Sequence, residues 1–197
     1  MLTSITPLGE RGRHRRWRST ASWYVLGSTL GGVVLGALAG LLALALGASD
    51  PSSKVLTFVA AVVCLTAAVW DATGRRPPSW KRQVDETWLG RYRGWVIGGG
   101  FGAQLGFGVA TIVSTAAVYA ALLLAALTTS FWAALAIGAA FGLARALPLL
   151  TVRRILTNEA LASLHRRVSV LAPIAGRATV GVLALAAAGL TAAALVS

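Results

Sequence analysis

Long uncharged apolar runs, separated by short polar interruptions, set the pattern of this chain. Residues 22–48 carry no charge, and 55–70 form a second run that Asp71 ends. The longest runs from 94 to 129; 131–150 follows almost at once and holds one ionisable residue, Arg145. A last apolar stretch covers 178–196. About 20 residues, each rising 1.5 Å, cross a hydrocarbon core of about 30 Å, so the pattern predicts five membrane-crossing helices. The expected fold is an all-α polytopic helix bundle. A basic N-terminal segment, 1–21, precedes one transmembrane domain, 22–197, with spans at about 22–48, 55–72, 94–129, 131–150 and 178–196. The first run exceeds the roughly 7–15 residues of a signal-peptide core and reads as an uncleaved helix.

Two connections carry a helical period of their own. Ser79 is placed to cap a short helix on which Trp80, Val84 and Trp88 recur every four residues, with Lys81 and Arg82 on other faces. Asn158 is placed to cap another, with Leu161, Leu164, Val168 and Leu171 on one stripe and Arg166 and Arg167 away from it. Such helices settle in the headgroup layer, apolar side down and basic side toward anionic lipid. Trp80, Lys81, Arg82, Trp88, Arg166 and Arg167 are the expected lipid-facing residues, although a merely solvated face explains the second helix equally well.

Composition agrees with the pattern. The chain is 56% hydrophobic and 12% charged, with a mean hydropathy of +0.73, against about 25% charged residues in a soluble domain. Eighteen Lys/Arg against six Asp/Glu give a formal charge of +12. Nucleic-acid binders carry such charge on a soluble scaffold, so no nucleic-acid partner is expected. The basic residues gather before the first span, between the second and third, and between the fourth and fifth; the other connections hold only Lys54. The positive-inside rule then predicts a bacterial-type plasma-membrane protein with a cytoplasmic N-terminus and an external C-terminus.

Glycines four apart form smooth stripes: Gly27 and Gly31; Gly32, Gly36 and Gly40; Gly98, Gly102 and Gly106. Small residues at this spacing let helix backbones approach closely in lipid. The Trp23–Gly40 and Trp95–Gly108 stretches resemble each other and suggest a two-fold internal repeat with both halves oriented alike. At 1.5 Å per residue, 94–129 would exceed 50 Å. It either starts late, after a glycine-rich lead-in, or is unwound near Gly98-Gly99-Gly100, as helices lining a cavity can be.

Candidate chemistry is sparse. His14 and His165 have no ligand-spaced Cys or carboxylate, so no metal or cofactor is expected, and no nucleophile–base set assembles at one depth. One cysteine, Cys64, excludes an internal disulfide. Gln104, Thr111, Ser114, Thr115 and Tyr119 lie on the third span as a solute path or a packing face. Thr111, Thr115 and Tyr119 share one side of it. Asp71 and Arg145 end their spans at similar depth, either as an intramembrane ion pair or with Arg145 snorkelling to the interface.

The stretch Arg91-Tyr-Arg-Gly-Trp95 through Phe101-Gly-Ala-Gln-Leu-Gly-Phe-Gly108, with Phe141-Gly-Leu-Ala-Arg145-Ala-Leu-Pro148, resembles the transmembrane region of the cytochrome c biogenesis thiol-reductant carriers of the CcdA/DsbD type. The resemblance covers about the second half of the chain. It implies a scaffold in which one cysteine in each of two repeated, inverted halves passes electrons across the membrane. Here the residues after Gly108 read Val-Ala-Thr-Ile-Val-Ser, without a Pro-Cys, and Cys64 does not occupy the matching place. The family's inverted halves also need an odd number of crossings each, against two here. The sequence therefore points to a non-enzymatic member lacking the paired cysteines, a small permease or a membrane subunit of a larger complex. It would bind anionic lipid and either a membrane-protein partner or further copies of itself. The alternatives are a membrane-embedded redox or maturation factor using Cys64, and a structural anchor for a cytoplasmic partner.

Overall fold

The computed structural model describes residues 5–12, 14, 16–45, 54–78, 91–108 and 113–196. The helices are α1 (Pro7–Gly12), α2 (Trp17–Ala45), α3 (Lys54–Ala72), α4 (Gly94–Gly106), α5 (Ala117–Leu127), α6 (Phe131–Ala146), α7 (Pro148–Thr151) and α8 (Asn158–Val196), with a 3-10 turn at Val152–Arg154. Among the described residues, four stretches are long and apolar enough to cross a membrane: Trp17–Ala45, Lys54–Ala72, Phe131–Thr151 and Asn158–Val196.

The glycine stripes explain why α2 is the hub. One side of it, with Thr20, Tyr24, Gly27, Ser28 and Gly31, receives α4: Gly98 sits on the Thr20 carbonyl, Gly102 on that of Tyr24 and Gly106 on that of Ser28. The other side, with Gly32, Gly36 and Gly40, receives α6 through Ala134, Gly138, Gly142 and Phe131. A Cβ at any of these glycines would strike backbone or ring atoms of the facing helix. In lipid, where water drives no helix association, such close backbone packing supplies the attraction. Ser28 pins the second contact: its buried hydroxyl donates to the Gly142 carbonyl oxygen at 2.6 Å. Ser28→Ala is expected to cost about 1 kcal/mol, read as a lower melting temperature of the detergent-purified protein; an unchanged melt would show the bond contributes nothing.

A second layer is built from alanine. Ala67 and Ala68 of α3 pack on Leu183 of α8 together with Ala120 of α5 and Ala116 just before it. Helix α5 joins the layers, since Ala125 also meets Ala39 of α2 and Ala134 of α6. At the base, Ile5, Ala21, Tyr24, Ile97, Phe101, Ala146, Leu149, Val152 and Ile155 form one cluster. The ends of α2, α4, α6 and α7 that adjoin the Arg-rich segments therefore share one end of the bundle.

Several sequence expectations change. Within the 1–21 segment, α2 already begins at Trp17, Ile5 and Glu10 are buried, the Thr20 hydroxyl donates to Glu10 Oε2 at 2.7 Å, and Trp17 Nε1 donates to the Ile5 carbonyl at 3.1 Å. Residues 94–129 are not one helix, and Gly98-Gly99-Gly100 is not the unwound point; those glycines lie inside α4. Close approach to α2, not flexibility, explains Gly98. The helix expected from Asn158 is not separate from the last span, because α8 runs unbroken for 39 residues with Pro173 inside it. Its basic stretch looked like a boundary, but Arg and Ala are good helix formers and a helix may leave the bilayer without ending. The interfacial helix expected after Ser79 lies outside the described residues. The two stretches read as repeats, Trp23–Gly40 and Trp95–Gly108, lie in α2 and in α4 with the turn that ends it.

Candidate functional site: the break between α4 and α5

Helix α4 accompanies only the first half of α2, up to Ser28 and Gly31. It ends where Phe107 N–H donates to the Ala103 carbonyl at 2.9 Å and Gly108 adopts φ +71°. That left-handed backbone favours glycine and is a common helix stop. A Cβ at Gly108 would also meet the Phe141 ring at 3.0 Å. The chain resumes without helix at Val113–Thr115, and α5 then lies beside the second half of α2, near Leu35, Gly36 and Ala39.

The start of α5 is capped from two directions. Thr115 Oγ1 accepts from Ala117 N–H at 3.1 Å, and Asp71 Oδ1, from the end of α3, accepts from Ala116 N–H at 2.7 Å. A carboxylate at a helix N-terminus answers both the orphan N–H groups and the positive end of the helix dipole. Asp71 Oδ2 is buried without a hydrogen-bond partner among the described residues. One turn into α5, the Tyr119 hydroxyl donates to the Pro78 carbonyl. The end of α3 and the linker that follows it are thus both tied to the same short helix. Between them lies an apolar cavity of about 270 Å³, walled by Thr66, Trp70, Pro77, Pro78, Tyr119 and Leu123 among others.

On the other side of the break, the Arg145 guanidinium carbon stands 5.5 Å from the centre of the Phe141 ring, the ring that covers Gly108. A cation over an aromatic face gains about 0.5–2 kcal/mol depending on solvation. The structure thus gives Asp71 and Arg145 different partners, and the ion pair expected between them is not among the described contacts. The α5 N-terminus takes the place of the guanidinium for Asp71.

The other expected residues divide around the break. Gln104 is half-buried on α4, Ser114 is exposed, and Thr115 and Tyr119 flank the start of α5. The shared face expected of Thr111, Thr115 and Tyr119 assumed a continuous helix; Thr115 precedes α5, and Thr111 lies outside the described residues, as do Trp80, Lys81, Arg82 and Trp88. Arg166 and Arg167 are exposed on α8. Gly138 and Gly142 carry the same four-residue spacing as the other stripes, and Ser28 is the one hydroxyl of a glycine-rich run that bonds across to α6. Cys64 is fully buried. Among the described residues, no group of three or more His, Cys, Asp or Glu is arranged to hold a metal ion.

Residues 3–183 match the family model described as the cytochrome c biogenesis protein transmembrane region. The chain belongs to this family. The match reaches well beyond the second half of the chain, taking in α1 through the first part of α8, so the family scaffold includes the α2 hub as well as the divided segment. The chain is also 34% identical to methylamine utilization protein MauF of Paracoccus denitrificans over 151 residues, 74% of this chain and 54% of that protein. With MauF of Paracoccus versutus it shares 31% over 152 residues, 74% of this chain and 56% of that protein. The chain spans about half the length of the curated relatives it matches. No solved structure matches it. This member of the cytochrome c biogenesis transmembrane family holds one cysteine and therefore no disulfide pair of its own.

Proposed function

We propose that the chain is a thiol-independent member of its family, a membrane subunit that works within a larger assembly. The observation that carries this reading is Cys64. A dithiol relay needs two sulfurs close enough to join, and this chain has one, fully buried in the α3 helix. The form of α3 and α8 leaves room for a partner. Leu65 and Val69 on α3 and Val182 and Leu185 on α8 are exposed, apolar faces that lipid, a second membrane protein or another copy of this chain would cover. The relatives' name ties them to methylamine utilization, and an assembly serving that process is the natural setting for this subunit. A small permease is the second reading, favoured by the break between α4 and α5, because divided helices at membrane depth line solute sites in transporters.

The same reading places the N-terminus in the cytoplasm and the C-terminus outside a bacterial-type plasma membrane. The gathering of Arg16, Arg18, Arg93 and Arg153 toward the end where α2 and α4 begin and α6 ends supports it. Anionic lipid is the proposed partner of the basic segments that include Lys81, Arg82, Arg166 and Arg167.

The decisive experiment is Cys64→Ser expressed in a strain lacking the chain. Growth or maturation lost in that strain is expected to return fully, with the same membrane proteins recovered after mild solubilisation. In native membranes, Cys64 is expected to stay unlabelled by a maleimide until the protein is unfolded. Loss of function in Cys64→Ser at an unchanged protein level would replace this reading with a redox one.

A further inference from the structure

A second cavity, of about 560 Å³, opens at the base of the bundle where α2 and α4 begin. Arg16, Ser19, Thr20, Trp23, Gly94 and Trp95 line it. Its wall is mostly apolar, with donor groups from Arg16, Ser19 and the two tryptophans among the lining residues. The Arg16 guanidinium and the Ser19 hydroxyl have no partner among the described residues, and neither do the indole N–H groups of Trp23 and Trp95, whose rings stand 6.0 Å apart at 53°. The carboxylate nearest this wall, Glu10, is fully buried behind Thr20 and accepts that residue's hydroxyl. No described acidic side chain lines the space. A mostly apolar opening with an exposed guanidinium, a hydroxyl and two indoles in its wall suits an anion that carries both a charge and some apolar bulk.

Its place narrows the class. Half-exposed tryptophans at the end of a membrane-crossing helix belong at the headgroup layer, where the abundant anions are phosphodiesters. The space is open on one side and larger than a bare phosphate needs, so it has room for a phosphoglycerol group. A guanidinium with hydroxyl and N–H donors is also a usual phosphate grip. We propose that this cavity is a binding site for a phosphate ester, presented by an anionic phosphoglycerol lipid and anchored on Arg16. The zwitterionic ethanolamine lipids would bring their ammonium group against Arg16 and are disfavoured. The proposal does not depend on whether the chain acts as a subunit or a permease.

The test counts lipids retained by the full chain in native mass spectrometry after exchange into nanodiscs of phosphatidylglycerol and phosphatidylcholine. The variants are Arg16→Gln and, as a control of equal charge, Arg18→Gln, whose side chain does not line the cavity. Both positions are exposed, and their melting temperatures are expected to match the parent. Arg16→Gln is expected to lose one retained phosphatidylglycerol and to weaken binding about tenfold, the loss of one charge-assisted contact. Arg18→Gln is expected to keep that lipid. Equal losses in the two variants, or none in either, would overturn the site. Titration with glycerol 3-phosphate in detergent separates the sources. Weak binding supports the lipid; binding as tight as that of phosphatidylglycerol, and equally dependent on Arg16, would overturn the lipid in favour of a soluble phosphate ester.

Discussion

A single methyl group added at Gly106 is expected to damage this protein more than any change on its surface. In Gly106→Ala the new carbon would fall on the Ser28 carbonyl, with the Ser28 Cα and carbonyl carbon also closer than 3.0 Å. These are backbone atoms of the hub helix, which no rotamer change can move aside. Forcing extra volume into a packed contact costs about 1–3 kcal/mol or more, and here the cost also disturbs Ser28, whose hydroxyl holds α6. The control lies on α8, where a Cβ at Gly189 would meet nothing within 4 Å. Gly189→Ala is expected to be neutral or to gain up to about 1 kcal/mol from helix propensity. Thermal unfolding of the two purified variants, followed by size-exclusion of the soluble fraction, reads the difference. Equal melting temperatures would show that α2 and α4 are not in backbone contact. Gly98→Ala against Gly99→Ala repeats the comparison at adjacent positions, since the first would strike the Thr20 carbonyl and the second meets open space.

That pair also shows where the sequence informs and where it does not. The glycine stripes on α2 and α4 were legible because a four-residue spacing of small residues has one main use in lipid, close packing of backbones. The spacing gave the faces but not the pairing: Gly27 and Gly31 turn to α4 while Gly32 and Gly36 turn to α6, a division one residue of register decides. The break was harder. A glycine serves either close approach or a left-handed backbone, and a run of three suggests the second. Gly98 serves the first, while Gly108, with an ordinary look in the sequence, carries the positive φ. Asp71 illustrates a different gap. Its charge at the end of an apolar run suggests a charged partner, and Arg145 is the ionisable residue that lies inside another apolar run at similar depth. A helix N-terminus offers the same electrostatic answer without any charged residue, and it exists here only because the third apolar run is divided. The base cluster is not legible in the sequence, because Ile5 and Glu10 lie in a segment whose arginines dominate its composition.

The capping of α5 by Asp71 leads to the second large effect. Asp71→Ala removes the acceptor for the Ala116 N–H, a hydrogen bond that ties α3 to the divided segment. Loss of an N-cap acceptor costs about 0.5–2 kcal/mol, and the lost charge adds up to about 2 kcal/mol where the site is partly buried. Asp71→Asn keeps an acceptor without the charge, so stability is expected to fall in the order parent, Asp71→Asn, Asp71→Ala. The readout is local as well as global. Amide exchange at residues 113–120 in nanodiscs is expected to quicken in Asp71→Ala, while the amides of α4, held by the glycine contacts with α2, keep their protection. Arg145→Gln supplies the discriminating arm. Were Asp71 and Arg145 a bonded pair, Arg145→Gln would loosen 113–120 as much as Asp71→Ala does. With Arg145 over Phe141 instead, that variant is expected to leave those amides unchanged and to loosen only the packing around Gly108. Equal exchange in all three proteins would show that the contact between Asp71 and α5 carries no weight in holding the break.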